Sequence, residues 1–214
     1  MLDINNFSLF VVSVFLLSIT PGPDMAYVVG QSIANGRRAG VISAAGVALG
    51  SCTHALASVI GLTALIAASP FLFTVVKYAG AAYLVYLGLS LIRDSFKKQQ
   101  AASGEQPDIK KNAGLYELLA KGFITTLTNP KVLLFFISFF PQFVAPGGEH
   151  YTASLIFLGV AYAVVAFLTD ATFAILAGSA AGAFTRNEAL QKVLDRVVGA
   201  VFIGLGIRLA LVRS

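Results

Sequence analysis

The stretch "SITPGPDMAYVV", residues 18–29, sets Asp24 directly after Pro21, Gly22 and Pro23 inside a long apolar run. A second break of this kind stands in "TLTNPKVLLF", where Asn129 and Pro130 precede Lys131. Proline has no N–H to donate and its ring clashes with the preceding turn. Pro21 and Pro23 therefore strip the carbonyls of Leu17 and Ile19 of helical partners, and Pro130 strips that of Thr126. In hydrocarbon an unpaired backbone group is costly, so such breaks persist only where they are buried in protein or line a wet cavity. Each leaves a half-helix whose N-terminus, with free amides and a positive dipole, points into the interior and suits an anion such as a carboxylate.

Asp24 and Lys131 occupy equivalent places at the two breaks, and Asp170 and His54 sit within two further apolar runs. A charge at the bilayer centre costs about 2.5–3.5 kcal/mol, so each needs a partner or a role. One arrangement satisfies them together. Asp24 and Asp170 take an ammonium group or a proton, the half-helix N-termini and Lys131 hold a carboxylate, and His54 exchanges protons near neutral pH. Such a site suits a zwitterion. Structural readings stand beside it: Asp24 as an N-cap, Asp24 with Lys131 as an ion pair, His54 as an interhelical hydrogen bond, and Asn129 as a turn residue. Thr20, Thr125, Thr126 and Thr128 are expected to pair with freed carbonyls. Phe135, Phe136, Phe139 and Phe140 are expected to pack or to face lipid.

The elements that must position these residues follow from composition. Of 214 residues 57% are hydrophobic and 12% charged, with mean hydropathy +0.82, whereas a soluble domain carries about 25% charged residues. Apolar runs fall at 6–29, 41–67, 70–92, 116–143, 152–180 and 193–212, each long enough to span a bilayer. The opening "MLDINNFSLF" has an acid and no Lys or Arg before its apolar run, and no small-residue cleavage site follows, so it reads as a retained first span. Cys52 is the single cysteine and forms no internal disulfide. The net charge of +5 sits in the loops, which points to membrane orientation rather than a nucleic-acid partner. Arg37, Arg38, Arg93, Lys97, Lys98, Lys110, Lys111, Lys121, Arg186, Lys192 and Arg196 lie in or beside the loops after the first, third and fifth runs. Those loops are expected in the cytoplasm and both termini outside.

The polar stretch from Arg93 to Asn112 divides the chain into a first three-helix repeat (1–92), a cytoplasmic linker (93–115) and a second three-helix repeat (116–214). Three is odd, so similar halves must enter the membrane with opposite polarity. "AGAAYLVYLG" answers "VGAVFIGLG", as the first break answers the second. Small residues recur around His54 (Gly46, Gly50, Ala57, Gly61) and around Asp170 (Gly159, Ala163, Ala166, Ala174, Ala177). Such stripes let helices approach closely within the chain or pair two copies as a homodimer. HExxH, paired CxxC, phosphate-loop and nucleophile-elbow motifs are absent. An enzyme is not expected, nor a cofactor or metal.

The run "TPGPDMAYVVGQSIANGRRAG", then "GVALGSCTHALASVIGLTALI", "KYAGAAYLVYLGLSLIR", "TNPKVLLFFISFFPQFV" and "VGAVFIGLGIRLAL" resembles, collinearly over the full length, the RhtB (homoserine/threonine exporter) branch of the LysE amino-acid exporter superfamily. The resemblance implies a bacterial inner-membrane exporter of six helices in two inverted repeats, driven by the proton gradient. It carries the two mid-membrane breaks onto Pro21–Asp24 and Asn129–Lys131. Asp24 and Met25 follow the proline motif where basic-amino-acid exporters tend to have glutamine and asparagine, which favours neutral or hydroxylated cargo such as homoserine, threonine, serine or leucine.

The reading is an all-α integral membrane protein with broken helices one and four. It moves amino acids against protons by alternating access at a central site of Pro21, Gly22, Pro23, Asp24, His54, Asn129, Pro130, Lys131 and Asp170. A passive small-solute channel, an intramembrane hydrolase using Asp24 and Asp170, and a structural membrane subunit are the alternatives.

Overall fold

The computed structural model describes residues 2–96, 109, 112–145, 148–177 and 187–211. Lys97, Lys98, Lys110, Lys111 and Arg186 of the loop-charge pattern lie outside the described residues. Among the described residues the secondary structure is helical, apart from one isolated bridge between Ile4 and Val144.

Proline sets the breaks. The first apolar run becomes α1 (Phe7–Ile19) and α2 (Pro23–Asn35), bent by 57°. The fourth becomes α5 (Leu115–Leu127), α6 (Pro130–Ser138) and a 3-10 turn at Phe140–Phe143. Helix α2 runs past Val29, where the apolar run ends, because "GQSIAN" keeps one face inside the protein. There Gln31 and Ser32 are buried, and the Ser32 hydroxyl donates to the Ala174 carbonyl at 2.5 Å. A single residue, Gly36, separates α2 from α3 (Arg37–Ala68), and its φ of 87° is the left-handed conformation that glycine tolerates. Then come α4 (Pro70–Phe96), α7 (Tyr151–Leu176) and α8 (Glu188–Leu211). Residues Arg37–Gly61 of α3, and α7, are each long and apolar enough to cross a membrane, and α1 with α2 forms a third such span if the bent pair is one crossing.

Glycine allows the closest helix contacts. Helix α4 packs along α8, and α3 packs against both α5 and α7. A methyl group at Gly88 would lie 2.5 Å from the Gly199 carbonyl oxygen, one at Gly199 2.6 Å from that of Gly88, and one at Gly206 2.7 Å from that of Ala81. The step from Gly88 back to Ala81 equals the step from Gly199 forward to Gly206, so α4 and α8 run antiparallel. Gly40 facing Ala174 and Gly159 facing Ala55 give α3 and α7 the same relation. The small-residue stripe on α3 is shorter than its sequence pattern: Gly46 and Gly50 press on α5, whereas Ala57 and Gly61 are exposed and Gly61 has nothing near it.

The two ends of the bundle are filled differently. Phe135, Phe136, Phe139, Phe140 and Phe143 are buried with Phe10 and Tyr162 in one aromatic cluster. Neighbouring rings lie 4.5–6.2 Å apart in tilted or edge contacts, the nearest being Phe135 and Phe139 and the farthest Phe10 and Phe140. The four phenylalanines of α6 and its end thus pack inside, resolving the choice between packing and lipid. A strap closes this end: Asn5 N donates to Phe143 O at 2.7 Å, Ala145 N to Asp3 O at 2.9 Å, Asp3 N to Ser154 Oγ at 2.9 Å, and His150 N to Asp3 Oδ2 at 2.7 Å. At the opposite end the buried groups are smaller, with Val28, Ala44, Val47 and Ala174 in one group against Phe167 and Met25, Val29 and Ala177 in another against Phe173.

The glycine contacts make a quantitative expectation. Gly199→Ala sets a methyl against backbone that cannot yield and should destabilise by about 1–3 kcal/mol. Gly204→Ala, with nothing within 4 Å, should be neutral or slightly stabilising. Thermal unfolding of the two variants in detergent compares them directly.

Candidate functional site

The first break leaves α1 ending at Thr20 and α2 beginning after Gly22, whose φ of −172° and ψ of −180° are fully extended. Pro23 opens α2 at a position whose N–H would be unpaired anyway, and Asp24 follows in the first turn, where the helix dipole favours a carboxylate. Asp24 is therefore not an N-cap: that position is Gly22, which has no side chain to offer. At the second break Asn129 is the N-cap of α6, its Oδ1 accepting from Lys131 N at 3.0 Å.

The breaks are joined side chain to side chain. Asn129 Nδ2 donates to Asp24 Oδ2 at 3.0 Å, so one amide caps its own helix and holds the carboxylate of the other. Lys131 Nζ donates to Leu17 O and to Thr20 O, both at 3.1 Å. Pro21 cannot serve the Leu17 carbonyl, and a lysine from the other half of the chain does. The mirror of this contact lies at the second break, where His54 Nε2 is 3.1 Å from Thr126 O, the carbonyl that Pro130 deprives of its i+4 donor and that also accepts from Asn129 N at 3.0 Å. A carbonyl only accepts, so Nε2 carries the hydrogen. His54 is buried and stacks on Phe136 with ring centroids 6.0 Å apart.

The threonines do not serve the carbonyls that the prolines free; three of them bond back to the carbonyl four residues earlier, as hydroxyls in helices do. Thr20 Oγ1 donates to Leu16 O at 2.8 Å, Thr125 Oγ1 to Lys121 O at 2.7 Å and Thr128 Oγ1 to Ile124 O at 2.9 Å. Thr126 is different. Its hydroxyl and Asp24 Oδ1 are both buried without a hydrogen-bond partner. Half of the Asp24 carboxylate is thus held by Asn129 and half is unengaged.

Asp24, Lys131 and Asp170 line one small, partly open cavity of about 20 Å³. That is room for about one water molecule, so no amino acid fits in this conformation. Of the other residues singled out from sequence, Asn129 bridges the breaks, His54 stands behind Thr126, and Gly22 lets the lysine pass: a methyl there would sit 3.0 Å from Lys131 Nζ. Pro21, Pro23 and Pro130 are exposed and act by breaking the helices rather than by lining the cavity. Asp24 and Lys131 do not form a contact ion pair; the ammonium group sits on carbonyls instead.

Ser18, Ser51 and Tyr162 also line the cavity and escaped the sequence reading. Tyr162 and Ala166 precede Asp170 at successive four-residue steps, one face of α7, and that spacing was the available signal. The remaining wall is apolar, with Met25, Val47, Val132 and Ala166 prominent in it.

Comparison with known proteins places this geometry in context. The family described as LysE type translocator matches residues 15–213. An uncharacterized membrane protein of Pseudomonas aeruginosa is 37% identical, covering 98% of this chain and 96% of its own. A leucine efflux protein of Salmonella choleraesuis is 30% identical, covering 98% and 96%, and one of Enterobacter sp. is 29% identical, covering 96% and 95%. No solved structure matches the chain.

The double role of Asn129 is separable. Asn129→Ser keeps an N-cap acceptor but loses the bond to Asp24, and should cost about 1.5–3 kcal/mol. Asn129→Ala loses the cap as well and should cost about 1 kcal/mol more. Equal melting temperatures for the two variants would contradict this division.

Proposed function

The chain belongs to the LysE type translocators, membrane transporters rather than enzymes, and from that premise we propose that it exports neutral amino acids from the cytoplasm. Within the superfamily it stands with the RhtB branch. The cargo is neutral or hydroxylated, and leucine is favoured over homoserine, threonine or serine by the apolar wall of Met25, Val47, Val132 and Ala166 and by the similarity to leucine efflux proteins.

The observation that carries this reading is the small cavity between two interrupted helices, where Asp24, Asp170 and Lys131 converge. A zwitterion needs both signs of charge in a small space, and a dedicated ion channel or a packing subunit needs neither break. The fold is read as two inverted three-helix repeats, residues 1–92 and 116–214, joined by the linker 93–115. The antiparallel pairing of α3 with α7 and of α4 with α8 supports it, since these helices hold equivalent places in the two halves. With basic loops in the cytoplasm and both termini outside, the aromatic cluster seals the outer end and the smaller buried groups the inner one. Transport then alternates between opening inward past Met25 and Val29 and opening outward past the phenylalanines. Proton antiport across the inner membrane supplies the drive, with Asp24 or Asp170 holding in turn a proton and the cargo.

The test is uphill export of labelled leucine and threonine from loaded membrane vesicles under an imposed proton gradient. Wild type should move leucine faster than threonine, and Asp24→Asn and Asp170→Asn should each lower proton-coupled export by at least about tenfold. Retention of full rate and coupling by both variants would sink the carboxylate assignment. Leucine that equilibrates but never accumulates uphill would identify a passive channel instead.

A further inference from the structure

We propose that the carbonyls of Leu17 and Thr20 form a binding site for a primary ammonium group, occupied by Lys131 in the described conformation and by the amine of the cargo in the loaded one. This rests on the export reading for the identity of the cargo, but not for the existence of the site.

Four features build it. The two carbonyls stand at the C-terminal end of α1, the negative end of its dipole; Pro21 removes the i+4 N–H from Leu17 O, which takes a long backbone bond from Thr20 N at 3.3 Å and has a second lone pair for an ammonium group. Both accept from a single ammonium nitrogen at 3.1 Å, so their spacing already fits that group. The Thr20 hydroxyl does not compete, being turned back onto Leu16 O at 2.8 Å. Finally, the buried Asp24 Oδ1 has no partner and lines the same cavity as Lys131, Thr20 and Leu17. An ammonium group carries three donors, and Lys131 spends two of them on carbonyls.

An amino acid entering this cavity brings a second ammonium group that suits the same acceptors, with Asp24 and Asp170 adding attraction that a neutral group would not feel. It also brings a carboxylate, for which the displaced Lys131 is the nearest cation. The exchange keeps the carbonyls bonded at every stage: either the tethered amine or the transported one holds them. Without an ammonium group Thr20 O would lose its donor and Leu17 O would keep only the long bond from Thr20 N, which is disfavoured at this depth, so the lysine acts as a resident competitor. It fills the cradle on the empty return and yields it only to a molecule with an amine.

The experiment reads the site without transport. Purified Lys131→Ala is melted in detergent with n-butylammonium, with tetramethylammonium, which has charge but no N–H, and with n-butanol. Saturable stabilisation by n-butylammonium alone, absent from wild type whose cradle is filled, is expected. Equal effects of n-butylammonium and tetramethylammonium would overturn the proposal. A second arm uses wild type and stands whether or not the variant folds: leucine binding should be competed by isoamylamine, which keeps the amine, and not by 4-methylpentanoate, which keeps the carboxylate. The reverse order overturns it. A wild-type chain that binds no leucine speaks against the leucine reading, and the melting arm then decides the ammonium site on its own.

Discussion

A helix interrupted away from water leaves carbonyls that must find donors elsewhere, and the rest of this architecture answers to that need. The two donors come from opposite halves of the chain. Lys131, just after the second break, serves Leu17 and Thr20 at the first, and His54, from the helix following the first break, serves Thr126 at the second. Asn129 then ties the breaks by its bond to Asp24. Local backbone bonds from Thr20 N to Leu17 O and from Asn129 N to Thr126 O cover each break in part, and the docking of the two halves adds the second donor to each. The ionisable side chains that look like transport machinery are also what makes the interrupted helices tolerable.

Much of this was legible before the coordinates. The prolines announce the breaks because their effect on the preceding turn is local and obligatory. The carbonyls of Leu17 and Thr126 could be named as stranded for the same reason, and both are found to be served by side chains. Which side chain serves which carbonyl was not legible. Hydropathy reports depth, not direction around a helix, and the reach of a lysine across Gly22 depends on how two half-helices cross. The same limitation hid Tyr162, which reads as an ordinary aromatic until α7 is seen to bring it to the cavity with Asp170. Element ends were misjudged where polar residues turn inward. Helix α2 reaches Asn35 because Gln31 and Ser32 face protein, and α4 reaches Phe96, beyond the expected end at 92.

The unequal filling of the two ends bears on how the molecule opens. Interlocked rings are costly to separate because each aromatic side chain buries a large area and fits its neighbours closely. The α2–α3 end buries smaller groups alongside Tyr27, Phe167 and Phe173, and so has less interlocked aromatic area to separate.

The strap formed by residues 3–5 has a bearing on biogenesis. Its partners at Phe143, His150 and Ser154 lie about two thirds of the way along the chain. During synthesis these opening residues are without their companions until α7 has left the ribosome. The bonds they then form record that the later helices have arrived in the right order. Whatever machinery inserts the earlier helices must keep α1 in place through that wait, because the chain's own fastening comes only afterwards.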